Sequence, residues 1–473
     1  MNSSRLAFAS VLLIWIALFF GQSWNLSFGI DGFTYAALAK NSVSTGQWTT
    51  LHLSDDLWPK FYQHPPLVIW LQSIFFYLFG VHELTTRLLM SLFSGGTLIY
   101  LWKWGKWMGS PWIGWTAIFT LMTSLQYVIY ATDLYLDGPL TFFLVAGAAS
   151  FLQLERKGRI RDLLVFSFAM TGAWMTKGLA GLALPVACGV YLCTFCFLDT
   201  SRAYLLIQRF LAGCGLTMIL ILIWTFYADG IGFFSNYWSH NVRGRLSSAQ
   251  WQEHFLPLLT LLKTYWPGWP VLAYGLFRWQ GKELIKSLHS PVGFAGINAA
   301  VIFLGLSWIG NFNNQYLVPF YAFSALLVAQ IAFRWVRPRV QTLVPICFAA
   351  AVLLHVLLAT LPFNLRSSSV DSVTALLREA QHRCKVHSPA TILLSPSNDL
   401  EHTIPRILWL TSWYPRKLST YISPVKSGDT TSPLLLLKKE ADPIDDRWRK
   451  IPLQPHGDYT LWSSKESGTD LCD

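Results

Sequence analysis

The sequence predicts an all-α polytopic membrane protein that ends in a small α/β domain outside the membrane. Three observations carry this expectation. The 473 residues are 53% hydrophobic and only 13% charged, with mean hydropathy +0.39, where soluble domains carry roughly 25% charged residues. Apolar runs that approach or exceed the roughly 20 residues of a membrane-crossing helix recur along the chain. Arg and Lys collect in short loops at every second crossing.

The apolar runs are 6–20, 88–102, 112–130, 139–153, 163–198, 210–228, 256–277, 292–310, 316–333 and 340–362. The run 163–198 has the length of two helices, with a hinge at Thr176-Lys177-Gly178, which brings the total to about eleven spans. The first run follows a basic start (Met1 to Arg5) but no small-x-small cleavage site succeeds it. It reads as a retained helix rather than a signal peptide. Residues 67–80 are apolar but only 14 long. Were they to cross, every later basic loop would change sides, so they are expected to form a juxtamembrane or re-entrant helix. From Asn364 the composition turns mixed. Residues 389–396 and 433–438 read as short strands, and 370–384 has helical spacing. The expected domains are therefore 1–363 in the membrane, with a first outer loop over 29–87, and 364–473 beyond it.

The net charge of +11 might suggest nucleic acid, but its distribution argues for topology. The clusters Lys103/Lys106, Arg156/Lys157/Arg159/Arg161, Arg202/Arg209, Arg278/Lys282/Lys286 and Arg334/Arg337/Arg339 fall on one side. By the positive-inside rule that side is the cytoplasm. The N-terminus is then cytoplasmic and the C-terminal domain periplasmic or extracytoplasmic, in a plasma or bacterial inner membrane. Five of seven cysteines lie in apolar runs as packing residues, and Cys193-x-x-Cys196 sits inside a membrane helix rather than in a zinc site. Cys384 and Cys472 fall in the tail, where an oxidising compartment permits a disulfide.

With this parity, acidic and histidine-bearing segments share the outer side. Asp31 opens Ile30-Asp31-Gly32-Phe33-Thr34-Tyr35, where it either caps a short amphipathic helix or serves as a general base beside the interface. Asp133 and Asp137 lie four apart in Asp133-Leu-Tyr-Leu-Asp137-Gly-Pro139. Pro139 suits a helix start, so Asp137 is either its cap or a second functional carboxylate. His64 precedes Pro65-Pro66, where a rigid His can bind phosphate, orient a carboxylate or ligate a metal. Lys177 between two membrane helices is expected at water or at an anion. His240, Arg243 and Arg245 pack three potential cations into a side otherwise poor in Arg, which fits a phosphate site. Carboxylates for a hydroxyl and cations for a phosphate, on one membrane face, suit transfer of a group from a lipid phosphate to an acceptor hydroxyl.

The ordered set Asp31-x-x-x-Tyr35-Ala36, Gly46-Gln-Trp48, His64-Pro-Pro-Leu67-x-x-Trp70, Phe79-Gly80-x-x-Glu83-x-x-x-Arg87, Asp137-x-Pro-Leu-x-Phe-Phe143 and Thr176-Lys-Gly178 resembles the GT-C glycosyltransferases. The similarity is to the protein O-mannosyltransferases and the bacterial aminoarabinose transferase of lipid A, over about residues 1–330. It implies a GT-C fold and an inverting transferase that uses a polyprenyl-phosphate-linked sugar, undecaprenyl phosphate in a bacterium, and a lipid, glycan or protein acceptor. It implies Asp31 as base or acceptor-positioning residue and Asp137 as the second acidic residue. Donor-phosphate binding falls to His64, Lys177, His240, Arg243 or Arg245, and Tyr35, Tyr62, Gln63 and Asp133 are expected at the substrate. Gly32 stands where the family often has Glu, and Gln63-His64 where the lipid A enzyme has Glu-Lys. Those departures leave open both the lipid A acceptor and a divalent metal, for which Asp31, His64 and His240 are candidates.

A transporter would place charges and broken helices at the bilayer midplane, whereas these carboxylates sit at helix ends. A lipid-linked glycan polymerase or ligase shares the expected architecture and is the nearer alternative.

Overall fold

The computed structural model describes residues 3–20, 29–54, 57–196, 200–227, 230–239, 251–265, 268–278, 288–309 and 312–334. It also describes 243, 346, 376–377, 379–380 and 407–409, and the strand residues 391–394, 414–417, 434–439, 448–451 and 459–464. In chain order the helices are α1 (Ser3–Phe20), α2 (Ile30–Thr45), α3 (Leu67–Phe79), α4 (Glu83–Trp107), α5 (Pro111–Met122), α6 (Leu125–Ala131) and α7 (Asp137–Lys157). Then come α8 (Ile160–Lys177), a 3-10 turn Gly178–Leu182, α9 (Ala183–Cys196), α10 (Thr200–Tyr227), α11 (Gly230–Tyr237), α12 (Leu256–Thr264), α13 (Gly268–Arg278) and α14 (Pro291–Ile309). The last, α15, is the apolar segment Asn314–Arg334, which opens on a 3-10 turn.

Six helical stretches among the described residues are long and apolar enough to cross a membrane: Glu83–Trp107, Asp137–Lys157, Ile160–Thr194, Ala203–Tyr227, Pro291–Trp308 and Asn314–Arg334. The hinge expected at 176–178 is present, since α8 ends at Lys177 and Gly178 takes φ 57°, ψ −121°. At 13 residues α3 is too short to cross upright. The run 112–130 is not one span. It breaks after α5, where Thr123 ends the helix and Ser124 leaves the helical region at φ −77°, ψ 105°. The run 256–277 likewise divides into α12 and α13. The run 340–362, the helix over 370–384 and the Cys384–Cys472 pair lie wholly or largely outside the described residues.

The chain forms two compact units. The first comprises residues 1–24, 62–71 and 82–363. In it α7 packs along α8, and α4 along α5 and α7. Phe151 of α7 meets Phe166 of α8, Tyr191 of α9, Phe210 of α10 and Phe294 of α14 with ring centroids 5.2–6.3 Å apart. Small residues let the backbones close: a Cβ on Gly114 would lie 2.7 Å from the Trp102 carbonyl oxygen, the tight approach that membrane helices achieve with glycine.

The second unit comprises residues 25–61, 72–81 and 364–473. Its described strands are β1 (Thr391–Leu394), β2 (Tyr414–Lys417), β3 (Leu434–Lys439), β4 (Trp448–Lys450) and β5 (Tyr459–Ser464), in the order β2-β1-β3-β5-β4. β1 is parallel to β2 and β3, while β5 is antiparallel to β3 and β4. The strands expected at 389–396 and 433–438 are thus β1 and β3.

Candidate active site

In the first unit the start of α7 and the end of α8 hold a buried ion pair. Asp137 is the first residue of α7, 2% exposed. Lys177, forty residues on, is the last residue of α8, and its ammonium donates to both carboxylate oxygens of Asp137, at 2.6 and 2.7 Å. The same ammonium lies 4.3 Å from the centroid of the Tyr316 ring at the start of α15, a favourable cation–π position. Asp137 is not the cap expected for α7, because Leu136 occupies that position. One residue further in, the carboxylate still faces the positive end of the helix dipole and is neutralised by Lys177. The structure therefore places Lys177 at an anion, one of the two settings expected for it, and that anion is a carboxylate.

The turn that ends α8 fixes this arrangement. Gly178 adopts a conformation that L side chains rarely take, and a Cβ there would run into the Tyr237 hydroxyl. That hydroxyl accepts from Leu179 N (3.0 Å) and donates to Lys177 O (3.4 Å). Tyr237 belongs to an aromatic cluster with Met175, Trp224 and Phe233, against which Tyr62, Leu67, Trp70 and Trp174 pack. Tyr62 meets Phe233 edge to face at 6.2 Å. The segment Tyr62-Gln63-His64-Pro65-Pro66 leading into α3 is thereby seated on α8, α10 and α11, the elements that support Lys177. Tyr62, Gln63 and His64 are half-buried.

Asp133, 2% exposed, spends its carboxylate in part on its own turn, accepting from Leu134 N at 2.8 Å. One residue that sequence reasoning left out of the site stands next to it. Arg87 of α4 is 1% exposed and donates to Thr132 O at 3.4 Å. A buried guanidinium is rare without a purpose, and the Glu83-x-x-x-Arg87 motif was its sequence signal. Tyr316 was also missed, and nothing in the sequence marks its ring as a seat for Lys177.

In the second unit Asp31 lies in the first turn of α2 and is half-buried. It is not the cap, contrary to expectation: α2 begins at Ile30 after Gly29, and no side chain caps it. Tyr35, one turn on, is 6% exposed and sits edge-on to Phe61 at 6.4 Å. Arg243 is exposed, whereas His240 and Arg245 lie outside the described residues. Among the described residues no three His, Cys, Asp or Glu side chains converge as metal ligands.

A solved structure of ArnT from Cupriavidus metallidurans bound to undecaprenyl phosphate superposes with TM-score 0.71 over 99% of both chains, at 16% identity. The chain has the fold of ArnT. The archaeal oligosaccharyltransferase AglB of Archaeoglobus fulgidus, solved with an inhibitory peptide and a dolichol-phosphate, shares that fold with TM-score 0.56 over 88% of this chain and 64% of AglB, at 11% identity. By sequence, the dolichyl-phosphate-mannose-protein mannosyltransferase family matches residues 63–227. The undecaprenyl phosphate-alpha-4-amino-4-deoxy-L-arabinose arabinosyl transferase 1 of Proteus mirabilis is 26% identical over 180 residues, 37% of this chain and 32% of that enzyme. A protein of Aquifex aeolicus is 26% identical over 373 residues, 76% of this chain and 71% of its own length. The resemblance to GT-C glycosyltransferases therefore extends from ordered motifs to the whole ArnT-like fold.

Proposed function

We propose that the chain is an inverting glycosyltransferase of the outer membrane face, moving a sugar from a polyprenyl-phosphate donor to an acceptor hydroxyl. The observation that carries this reading is the buried Asp137–Lys177 pair at the ends of two membrane helices, in a chain with the ArnT fold. A charge pair is costly to bury, and packing alone does not call for one at that place.

In the proposed reaction Asp31 takes the acceptor proton as the acceptor oxygen bonds to the anomeric carbon. The bond from that carbon to the donor phosphate oxygen breaks, and polyprenyl phosphate leaves with the electron pair. Cationic groups of the His64 segment and of the 240–245 segment offset the charge growing on the phosphate. Asp137, held in place by Lys177, orients the reacting sugar or acceptor through hydrogen bonds. The phosphate is already a good leaving group, so no covalent enzyme intermediate is needed.

The experiment is mass spectrometry of cell-envelope lipids and glycans with and without the gene, complemented by wild type or Asp31→Asn. Loss of one sugar modification on deletion, restored by wild type alone, is expected. Purified Asp31→Asn is expected to keep its binding of undecaprenyl phosphate. Full complementation by Asp31→Asn would sink the assignment of the base.

A further inference from the structure

We propose that Lys40 is a positioning residue for transfer, fastening the helix that carries Asp31 to the C-terminal domain. The proposal rests on the reading of Asp31 as the base. Its geometry lies wholly within the second unit. Lys40 donates to two consecutive backbone carbonyls 368 and 369 residues away, Leu408 O at 2.7 Å and Trp409 O at 3.2 Å. Trp409 in turn stacks on Phe76 of α3, with centroids 5.5 Å apart and planes 26° apart. On the same helix Asn41 donates to His52 O (3.1 Å) and Leu53 O (2.8 Å), and Phe61 N closes the loop onto Leu51 O at 2.8 Å. Phe61 then abuts Tyr35, one turn from Asp31.

The far end of α2 is thus tied to the outer loop by Asn41 and to the tail domain by Lys40. Packing alone would be met by an apolar side chain. An ammonium that leaves water for two fixed carbonyls costs desolvation, and what it adds is direction. Nine residues separate Lys40 from Asp31 along one rigid helix, about 13 Å at the helical rise, so a tilt allowed at Lys40 is felt at the carboxylate. On this account the C-terminal domain is part of the catalytic scaffold.

The test uses the full chain in membranes. Lys40→Met keeps the length and apolar stem of the side chain and removes the donors, while Lys40→Arg keeps donors and charge. At matched amounts of folded protein, Lys40→Met is expected to lower envelope modification on the order of tenfold, a fraction of the roughly hundredfold that a 1 Å misplacement of a reacting group can cost. Its affinity for undecaprenyl phosphate, the probe used, stays within about twofold because uniform binding is untouched. Lys40→Arg restores most of the activity, and hydrogen exchange in Lys40→Met quickens in 31–45 while α7 and α8 remain protected. Should the methionine variant yield no folded protein, Lys40→Leu, which likewise removes every donor, is read in the same way. Wild-type modification in Lys40→Met overturns the proposal, as does a loss of modification without faster exchange in α2. Asp31→Asn run alongside separates the two readings. If it is active, the base assignment fails whatever Lys40 does; if it is inactive while Lys40→Met is fully active, only the present proposal fails.

Discussion

At the scale of single residues the decisive feature is that the buried ions are committed to named partners. Lys177 gives both carboxylate contacts to Asp137, with side chains 11% and 3% exposed. Removing one member leaves the other buried without its counter-ion, which costs about 3–5 kcal/mol, whereas replacing both with apolar groups is often close to neutral. Asp137→Ala is therefore expected to lower the unfolding temperature in detergent far more than Asp137→Leu combined with Lys177→Met. Both are expected to lose transfer, and a double variant as unstable as the single one would contradict the pairing. Lys40 gives a pH signature of its own. Burial draws its ammonium from the usual 10.5 down to about 8. Between those values the unfolded chain holds a proton that the folded chain has released, so stability rises with pH across that window. The neutral amine still has two N–H groups for the two carbonyls. Urea unfolding of wild type followed between pH 7.5 and 10 is expected to show this rise, and Lys40→Met to lack it.

At the scale of elements, the turn after α8 converts a sequence break into a site. Gly178 combines φ 57° with ψ −121°, outside the regions open to residues with a Cβ, and a Cβ there would lie 2.6 Å from Tyr237 Cζ. Gly178→Ala is expected to cost about 1–3 kcal/mol and to reduce transfer by dragging Lys177 away from Asp137. Tyr237→Ala removes the ring that collides, Oη and Cζ together, so Gly178→Ala is expected to cost less in that background, and a double-mutant cycle measures the difference. The hinge itself was legible in Thr176-Lys177-Gly178, as were the short α3, β1 and β3, because periodicity, length and glycine report local conformation. Partners were not legible. Nothing near Lys177 in the sequence names Asp137, forty residues away, or Tyr316, and nothing near Lys40 names Leu408. The break after α5 was missed because no Gly or Pro marks it, and Ser124 leaves the helical region at φ −77°, ψ 105° within a hydrophobic run. Of the two roles left open for Asp31 and Asp137, the cap is not realised, because Gly29 and Leu136 take those positions.

At the scale of the whole molecule, enclosure and charge follow one logic. The span Asp137–Lys157 has 89% of its most apolar window buried inside the protein, whereas Ala203–Tyr227 has 17%. The carboxylate thus hangs from the most enclosed of the six spans, away from lipid, while α10 offers Phe226, Leu222 and Met218 outward as a lipid-facing surface requires. Arg156, Lys157, Arg159 and Arg161 flank the end of α7 opposite Asp137. If these loops are cytoplasmic, Asp137 and the loop that holds α2 face outward. In a cysteine-free background Ser44→Cys and Arg161→Cys are both at exposed positions. A membrane-impermeant maleimide applied to intact cells with a permeable outer layer is expected to label Ser44→Cys at once. Arg161→Cys is expected to react only after the membrane is opened. Labelling of both from the same side would break the parity on which the outward-facing site rests, because α3 would then have to count as a crossing, and the donor would have to be sought on the cytoplasmic leaflet.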